Sequence, residues 1–193
     1  MNELYPIFLR LDKLKLLIVG GGQVGTEKMS LILKNSPSAK ITLIAPEISK
    51  IIRDIALQHE QVILKQKTFD ASDLDGMDLV IAGTNIPELN HKVWATAKDR
   101  GILTNIADTP DLCDFYLGSI VTKGDLKLGI STNGKSPTVA KRLRQLFEAV
   151  LPDTLDELLQ NLQTYRQQLK GNFEEKVATL NQLTASLINK NKH

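Results

Sequence analysis

Short apolar runs alternate with amphipathic stretches over the first half of the chain. Residues 14–19 predict a buried strand that closes on Gly20, Gly21 and Gly22. Residues 23–34 then carry Val24, Met29, Ile32 and Leu33 at helical spacing, and Asn35, Ser36 and Pro37 end that helix. A second strand is predicted over 41–45, and a second helix over 49–58 that can turn Ile51, Ile52, Ile55 and Ala56 inward. Three further strands read at 62–64, 79–82 and 102–106, the last two separated by a helix over 87–100. Strands alternating with crossover helices imply a parallel sheet covered on both faces.

The rhythm changes after Asp108. Apolar alternation over 119–122 and 126–131, broken by Lys123-Gly124-Asp125, predicts a hairpin. Ser136 as N-cap and Pro137 in the first turn open a helix running to 150. Pro152 and Asp153 start another that runs to 170, Gly171 breaks it, and the chain is helical again from Asn172, fraying over 189–193. No internal repeat is visible. The expected organisation is a first domain over 1–112, a hairpin-and-helix element over 113–150 and a C-terminal helical domain over 151–193.

Composition narrows the partners. The 193 residues are 42% hydrophobic and 24% charged, as in an ordinary globular protein. A net charge of +2, with the basic residues spread along the chain, gives no argument for nucleic acid or for an anionic membrane. Cys113 is the one cysteine, so no intrachain disulfide can form and a reducing compartment is expected. Glu3, Arg10, Asp12, Lys13 and Lys15 precede any sustained apolar run, and no run reaches membrane-spanning length. The expectation is a cytoplasmic protein. His59, His91 and His193 are scattered away from Cys113, and no metal site is expected.

The most specific local feature is Gly20-Gly21-Gly22-Gln23-Val24-Gly25, a G-x-G-x-x-G set between a strand and a helix. Gly20 permits the tight turn, Gly22 lets the backbone approach a pyrophosphate, and Gly25 lets helix and strand pack closely. Phosphates there meet free N–H groups and the positive end of the helix dipole. The fold class that follows is α/β: a Rossmann-type parallel sheet with a small hairpin-helix element and a C-terminal helical domain. The competing reading is a strand-to-helix turn with no ligand. After the second strand come Pro46 and Glu47, the latter 22 positions beyond Gly25. Glu47 either holds ribose hydroxyls, which favours NAD over NADP, or is a solvated loop residue, and Lys50 nearby tempers the preference. Gly83, Thr84 and Asn85 follow the fourth strand and either line the cofactor cleft or form an ordinary turn.

The fifth strand runs through Asn105 and Ile106 to Ala107 and Asp108. A carboxylate at that edge, beside a bound nicotinamide, can take a proton as a hydride leaves. Its alternative is an N-cap or Asx turn before Pro110. The second polar loop, Ser131-Thr132-Asn133-Gly134-Lys135-Ser136-Pro137, with Lys135, Lys141, Arg142 and Arg144, either receives an anionic substrate or caps a helix with a solvated basic face.

Together these segments resemble the precorrin-2 dehydrogenase family, the short relatives of the N-terminal part of siroheme synthase. The resemblance is carried by Tyr5-Pro6-Ile7-Phe8, Val19 to Val24, Lys28, Ala45-Pro46-Glu47, Asn105-Ile106-Ala107-Asp108, Ser119-Ile120-Val121 and the 131–137 loop, in order and spacing. It extends over nearly the whole chain and weakens after Leu151. It implies NAD-dependent oxidation of precorrin-2 to sirohydrochlorin, with Asp108 in the family's catalytic position and with cofactor contacts from Gly20, Gly22, Gln23, Val24, Gly25, Pro46, Glu47, Gly83, Thr84 and Asn85. Substrate contacts are expected from Asn105, Ser119, Thr132, Asn133, Gly134, Lys135 and Ser136. A homodimer formed through the region after the nucleotide domain is also implied. Some members insert ferrous iron as well, which makes a bifunctional dehydrogenase and ferrochelatase the first alternative. A non-catalytic NAD-sensing module is the second. The sequence departs from the family at Gly118, where proline is common, and at Thr26-Glu27, where an arginine usually precedes the lysine. It departs again at Thr132-Asn133-Gly134, where a serine and two glycines are usual. That serine, which is phosphorylated in some members, corresponds to Thr132.

Overall fold

A computed structural model describes residues 2–169 and 172–185. It contains two compact units, 1–118 with 133–135 and 119–132 with 136–193. The hairpin and all the later helices thus share one unit, whereas the reading along the chain divides them at 150.

The first unit holds five parallel strands: β1 (Lys15–Val19), β2 (Lys40–Ala45), β3 (Val62–Gln66), β4 (Leu79–Ala82) and β5 (Leu103–Ile106). Their spatial order is β3-β2-β1-β4-β5. Between them run α1 (Gln23–Asn35), α2 (Lys50–Ala56) and α3 (Pro87–Lys98). Alternate strand residues face opposite ways, so the three central strands β1, β2 and β4 each serve two cores. Leu16, Ile18, Ile41, Leu43 and Ile81 pack with Met29, Ile32 and Leu33 of α1 and Ile52 of α2. Leu17, Val19, Ile44, Val80 and Ala82 pack with Val93 and Ala97 of α3. β1 is buried on both faces, which is why it reads as a continuous apolar run.

Two expectations about burial are corrected. Ile51 is 60% exposed while Ile52 is fully buried. Neighbouring helical residues project about 100° apart, and the side of α2 that packs on the core carries Ile52. Val24 is only half-buried, because it lies over Gly83 rather than within the core. The crossover from β3 to β4 carries only a short 3-10 turn, Ala71–Leu74, and Ile63 on the same sheet face stays exposed.

The second unit begins with the antiparallel pair β6 (Ser119–Lys123) and β7 (Leu126–Ile130). Gly124 makes the turn at φ +54°. Asp156 Oδ1 accepts a hydrogen bond of 2.8 Å from Asp125 N, and Lys123 pairs with Asp153, so the turn is docked on the chain leading into the next helix. Helices α4 (Pro137–Val150), α5 (Leu155–Gln168) and α6 (Phe173–Thr184) follow. α4 starts as its sequence predicts, with the Ser136 hydroxyl accepting from Val139 N and Pro137 in the first turn. Ala140 on its inner face is buried. Val139, Leu143, Leu146, Phe147 and Val150 share another face and are exposed. α6 opens on a capping box between Asn172 and Glu175. The expected break at Gly171 and the fraying over 189–193 lie outside the described residues. Among the described residues, no helix is long and apolar enough to cross a membrane.

Candidate active site

In an open parallel sheet, ligands bind beyond the carboxyl ends of the strands where the strand order reverses. Here that point lies between β1 and β4. Gly20 follows β1 and Gly83 follows β4, and their backbones touch: a Cβ on Gly20 would stand 2.7 Å from Gly83 O, and Gly20 has φ +126°. A Cβ on Gly83 would overlap Val24 and meet Ala107 Cβ at 3.8 Å. The glycine turn, the end of β4 and the residue before Asp108 therefore meet at one edge.

The glycines divide by cause. Gly21 has no room for a side chain against Glu47 O, nor Gly25 against Gly20 O. Gly22 is different. A Cβ there meets nothing within 4 Å, and its φ of −89° suits any residue. Among the described residues, no contact requires glycine at that position. It is the N-cap of α1, makes no side-chain cap, and the first turn holds no acidic residue. Such a helix start leaves N–H donors for an anion, and the open space at Gly22 is where a pyrophosphate would need the backbone bare. The residues present thus fit a dinucleotide. Gln23 is exposed on the first turn.

Glu47, just past β2, is exposed. Its carbonyl abuts Gly21, and Ser49 N donates to Gly21 O at 3.0 Å. These contacts bring Pro46 and Glu47 beside the glycine turn, a proximity that spacing alone left open. Thr84 is locked by Asn90. Its hydroxyl donates to Asn90 Oδ1 at 2.7 Å, its N–H donates to the same oxygen at 3.2 Å, and Asn90 Nδ2 donates to Thr84 O at 3.0 Å. Asn90 therefore fixes the chain after β4, while Asn85 is exposed. No spacing rule marks Asn90, because the contact joins a loop to the helix that follows it.

Asp108 follows β5 with φ +58°, a conformation that few non-glycine residues adopt. It is exposed, and among the described residues its carboxylate has no hydrogen bond or ion pair. The cap of the next 3-10 turn, Pro110–Leu112, falls on Thr109 and involves no side chain. The capping role that competed for Asp108 is therefore absent. Asn105 is 8% exposed, and its Nδ2 donates to Phe115 O at 2.7 Å. Its amide nitrogen is engaged inside the protein, which corrects the expectation of a side chain open to substrate.

In the second unit Ser119 is the half-buried first residue of β6. Thr132 Oγ1 donates to Ser136 O at 3.1 Å and accepts from Ser136 N at 3.2 Å. Both Thr132 and Ser136 are thus occupied within their own loop, Ser136 as the cap of α4. Of the first unit's loop residues, Asn133 and Gly134 take φ +53° and +74°, and Lys135 is exposed. Among the described residues, no group of three or more His, Cys, Asp or Glu side chains could hold a metal ion.

A family model described as "Putative NAD(P)-binding" matches residues 7–119, and one described as "Sirohaem biosynthesis protein central" matches 123–149. A siroheme synthase of Psychrobacter sp. (strain PRwf-1) is 37% identical over 167 residues, which is 86% of this chain and 34% of that protein. A siroheme synthase of Methylococcus capsulatus is 35% identical over 88% of this chain and 35% of its own length. The chain spans about a third of the length of the curated relatives it matches. Among solved structures, one titled "SirC, precorrin-2 dehydrogenase" matches with a TM-score of 0.76 at 24% identity. That match covers 93% of this chain and 89% of the other, a likeness of fold.

Proposed function

The chain belongs to the NAD(P)-binding family whose model spans residues 7–119, and from that premise we propose that it oxidises precorrin-2 to sirohydrochlorin with NAD+ in siroheme biosynthesis. The observation that carries the reading is the pairing, at one sheet edge, of the bare Gly22 with the unpartnered Asp108. The siroheme synthase names of the relatives support the pathway, and the family resemblance implies the substrate class, a polycarboxylate tetrapyrrole.

Oxidation removes a hydride and a proton from the substrate. NAD+ supplies the hydride acceptor. The chain's own residues bind and orient: N–H groups at the start of α1 hold phosphate, and Glu47 beside Gly21 accepts from ribose hydroxyls. A carboxylate at that place repels a 2′-phosphate, which favours NAD over NADP. Asp108, with no partner among the described residues, takes the proton on a carboxylate oxygen. Ser119, Thr132, Asn133, Gly134, Lys135 and Ser136 contribute the substrate side, with Lys135 offering charge to a substrate carboxylate. The hydroxyls of Thr132 and Ser136 act there through the loop shape they fix.

The chain works as a homodimer. The exposed apolar face of α4, from Val139 to Val150, supports this: a second copy of the same face would bury it. The free Cys113 thiol fits a reducing, cytoplasmic setting.

The test is anaerobic incubation of the protein with precorrin-2 and NAD+, followed by absorbance. Sirohydrochlorin should form with wild type. Asp108→Ala should lose turnover while still binding NAD+. Folded wild type that yields no sirohydrochlorin would overturn the reading, and a parallel arm with ferrous iron measures insertion above the protein-free rate.

A further inference from the structure

After Asp108 the chain returns along β5, and side chains stitch it there. Asp114 N donates to Thr104 O at 2.8 Å, while Thr104 N and Thr104 Oγ1 both donate to Asp114 Oδ2 at 2.9 Å. Asn105 Nδ2 donates to Phe115 O at 2.7 Å. The Cys113 sulfur accepts from Ile106 N at 3.3 Å and lies 3.2 Å from Ile106 O and 3.4 Å from Thr109 O. It therefore touches the backbone on both sides of Asp108. Lys98, the last residue of α3, pairs with Asp114.

This arrangement answers a physical need. Aspartate enters the left-handed region more readily than most side chains, yet φ +58° remains a minority conformation that restraint from the surroundings stabilises. Asp108 contributes nothing to its own restraint, since its carboxylate has no partner among the described residues. The restraint comes from Ile106 and Thr109, and Cys113 bonds both. Burial opposes the Asp114 charge, but Lys98 and Thr104 outweigh it and hold its carboxyl below the usual carboxylate range. It is therefore an ionised acceptor for Thr104 at neutral pH.

We propose that Cys113 and Asp114 are positioning residues that clamp the turn bearing Asp108 and so fix where its carboxylate stands. The proposal rests on the reading of Asp108 as proton acceptor. Their contacts are with Thr104, Ile106 and Thr109, the backbone that carries the turn. They act by denying the turn its alternatives, and a misplacement of about 1 Å at a reacting group can lower a rate roughly a hundredfold.

The experiment uses the full chain as wild type, Cys113→Val, Cys113→Ser, Asp114→Asn, Asp108→Ala and the double variant Cys113→Val/Asp108→Ala. Valine keeps the apolar bulk and removes donor and acceptor, whereas serine keeps both. Turnover, KM and Kd for NAD+, and amide hydrogen exchange at Ile106 and Thr109 are measured. Cys113→Val and Asp114→Asn should lower kcat about ten- to a hundredfold with Kd for NAD+ unchanged. Cys113→Ser should recover most of the loss. The double variant should be no slower than Asp108→Ala, and exchange at Thr109 should quicken in Cys113→Val. Wild-type kcat in Cys113→Val overturns the proposal, as does kcat and NAD+ binding falling in step. So does an equal loss on the Asp108→Ala background. Full activity in Asp108→Ala would remove the reading of Asp108 instead. The clamp would then stand or fall on exchange, unchanged protection at Thr109 in Cys113→Val refuting it.

Discussion

Gly22→Ala separates a ligand's requirement for glycine from the fold's. The substituted methyl meets nothing within 4 Å, and the backbone is already at φ −89°. Alanine is a poorer N-cap than glycine by about 0.5 to 1 kcal/mol, while it restricts the unfolded chain by about 0.4 to 1 kcal/mol. The two nearly cancel, so Tm should move by no more than about 2 °C for a chain of this size. Binding is another matter. A phosphate oxygen held by N–H groups at the start of α1 would be pushed beyond hydrogen-bond reach. A hydrogen bond to a charged group is worth about 1.5 to 3 kcal/mol, or roughly ten- to a hundredfold in Kd. With NAD+ at a hundred times the wild-type Kd, wild type gains about 2.7 kcal/mol, and a variant binding thirtyfold more weakly gains about 0.9 kcal/mol. Thermal melts with and without NAD+, together with calorimetric titration, read both quantities. Gly25→Ala is the opposite control. Its Cβ would overlap Gly20 O, and overpacking of that kind costs about 1 to 3 kcal/mol or more before any ligand is added. A Gly22→Ala protein that melts and binds NAD+ as wild type does would refute the reasoning. So would one whose apo form is several degrees less stable.

Three further outcomes are expected. Gly124→Ala should destabilise more than Gly101→Ala, because both glycines have positive φ, but only at Gly124 would the new Cβ overlap Asp156, whose carboxylate holds Asp125 N. Left-handed strain alone costs about 1 to 2 kcal/mol, and the excess measured by denaturant melts reports the Asp156 contact. Leu146→Glu on the exposed face of α4 should convert a dimer to a monomer in sedimentation at unchanged helix content, and a dimer that survives would move the interface elsewhere. Because the folded Asp114 carboxyl titrates below its unfolded value, the stability it contributes is complete above that unfolded value, near about pH 4. That stability should be lost as pH falls through the lower folded value. Asp114→Asn should flatten this acid limb of the stability–pH curve, and an unchanged slope would remove Asp114 from it.

Local pattern was enough for much of the molecule. The apolar run of β1, the glycines after it and the amphipathic α1 specify strand, turn and helix among neighbours, so the cofactor turn was legible without tertiary structure. The same holds for Ser136 and Pro137 at the start of α4, where N-cap and first-turn chemistry are satisfied within a few residues. Other features depend on partners far along the chain. Only packing decides that Ile52 and not Ile51 is buried, because the helix presents one side to the sheet. Only the approach of β1 to β4 shows that Gly20 is needed for space while Gly22 is bare with no internal cause. Asp108 could be read from sequence as a cap or as a free carboxylate. The cap fell to Thr109, and the carboxylate remained open because Cys113 and Asp114, drawn back onto β5, hold the turn in its place. The sequence alone was enough to nominate candidate residues for a dinucleotide and for proton transfer. Which of them stand free to do chemistry was decided by long-range contacts, which leave no periodic signal in the chain.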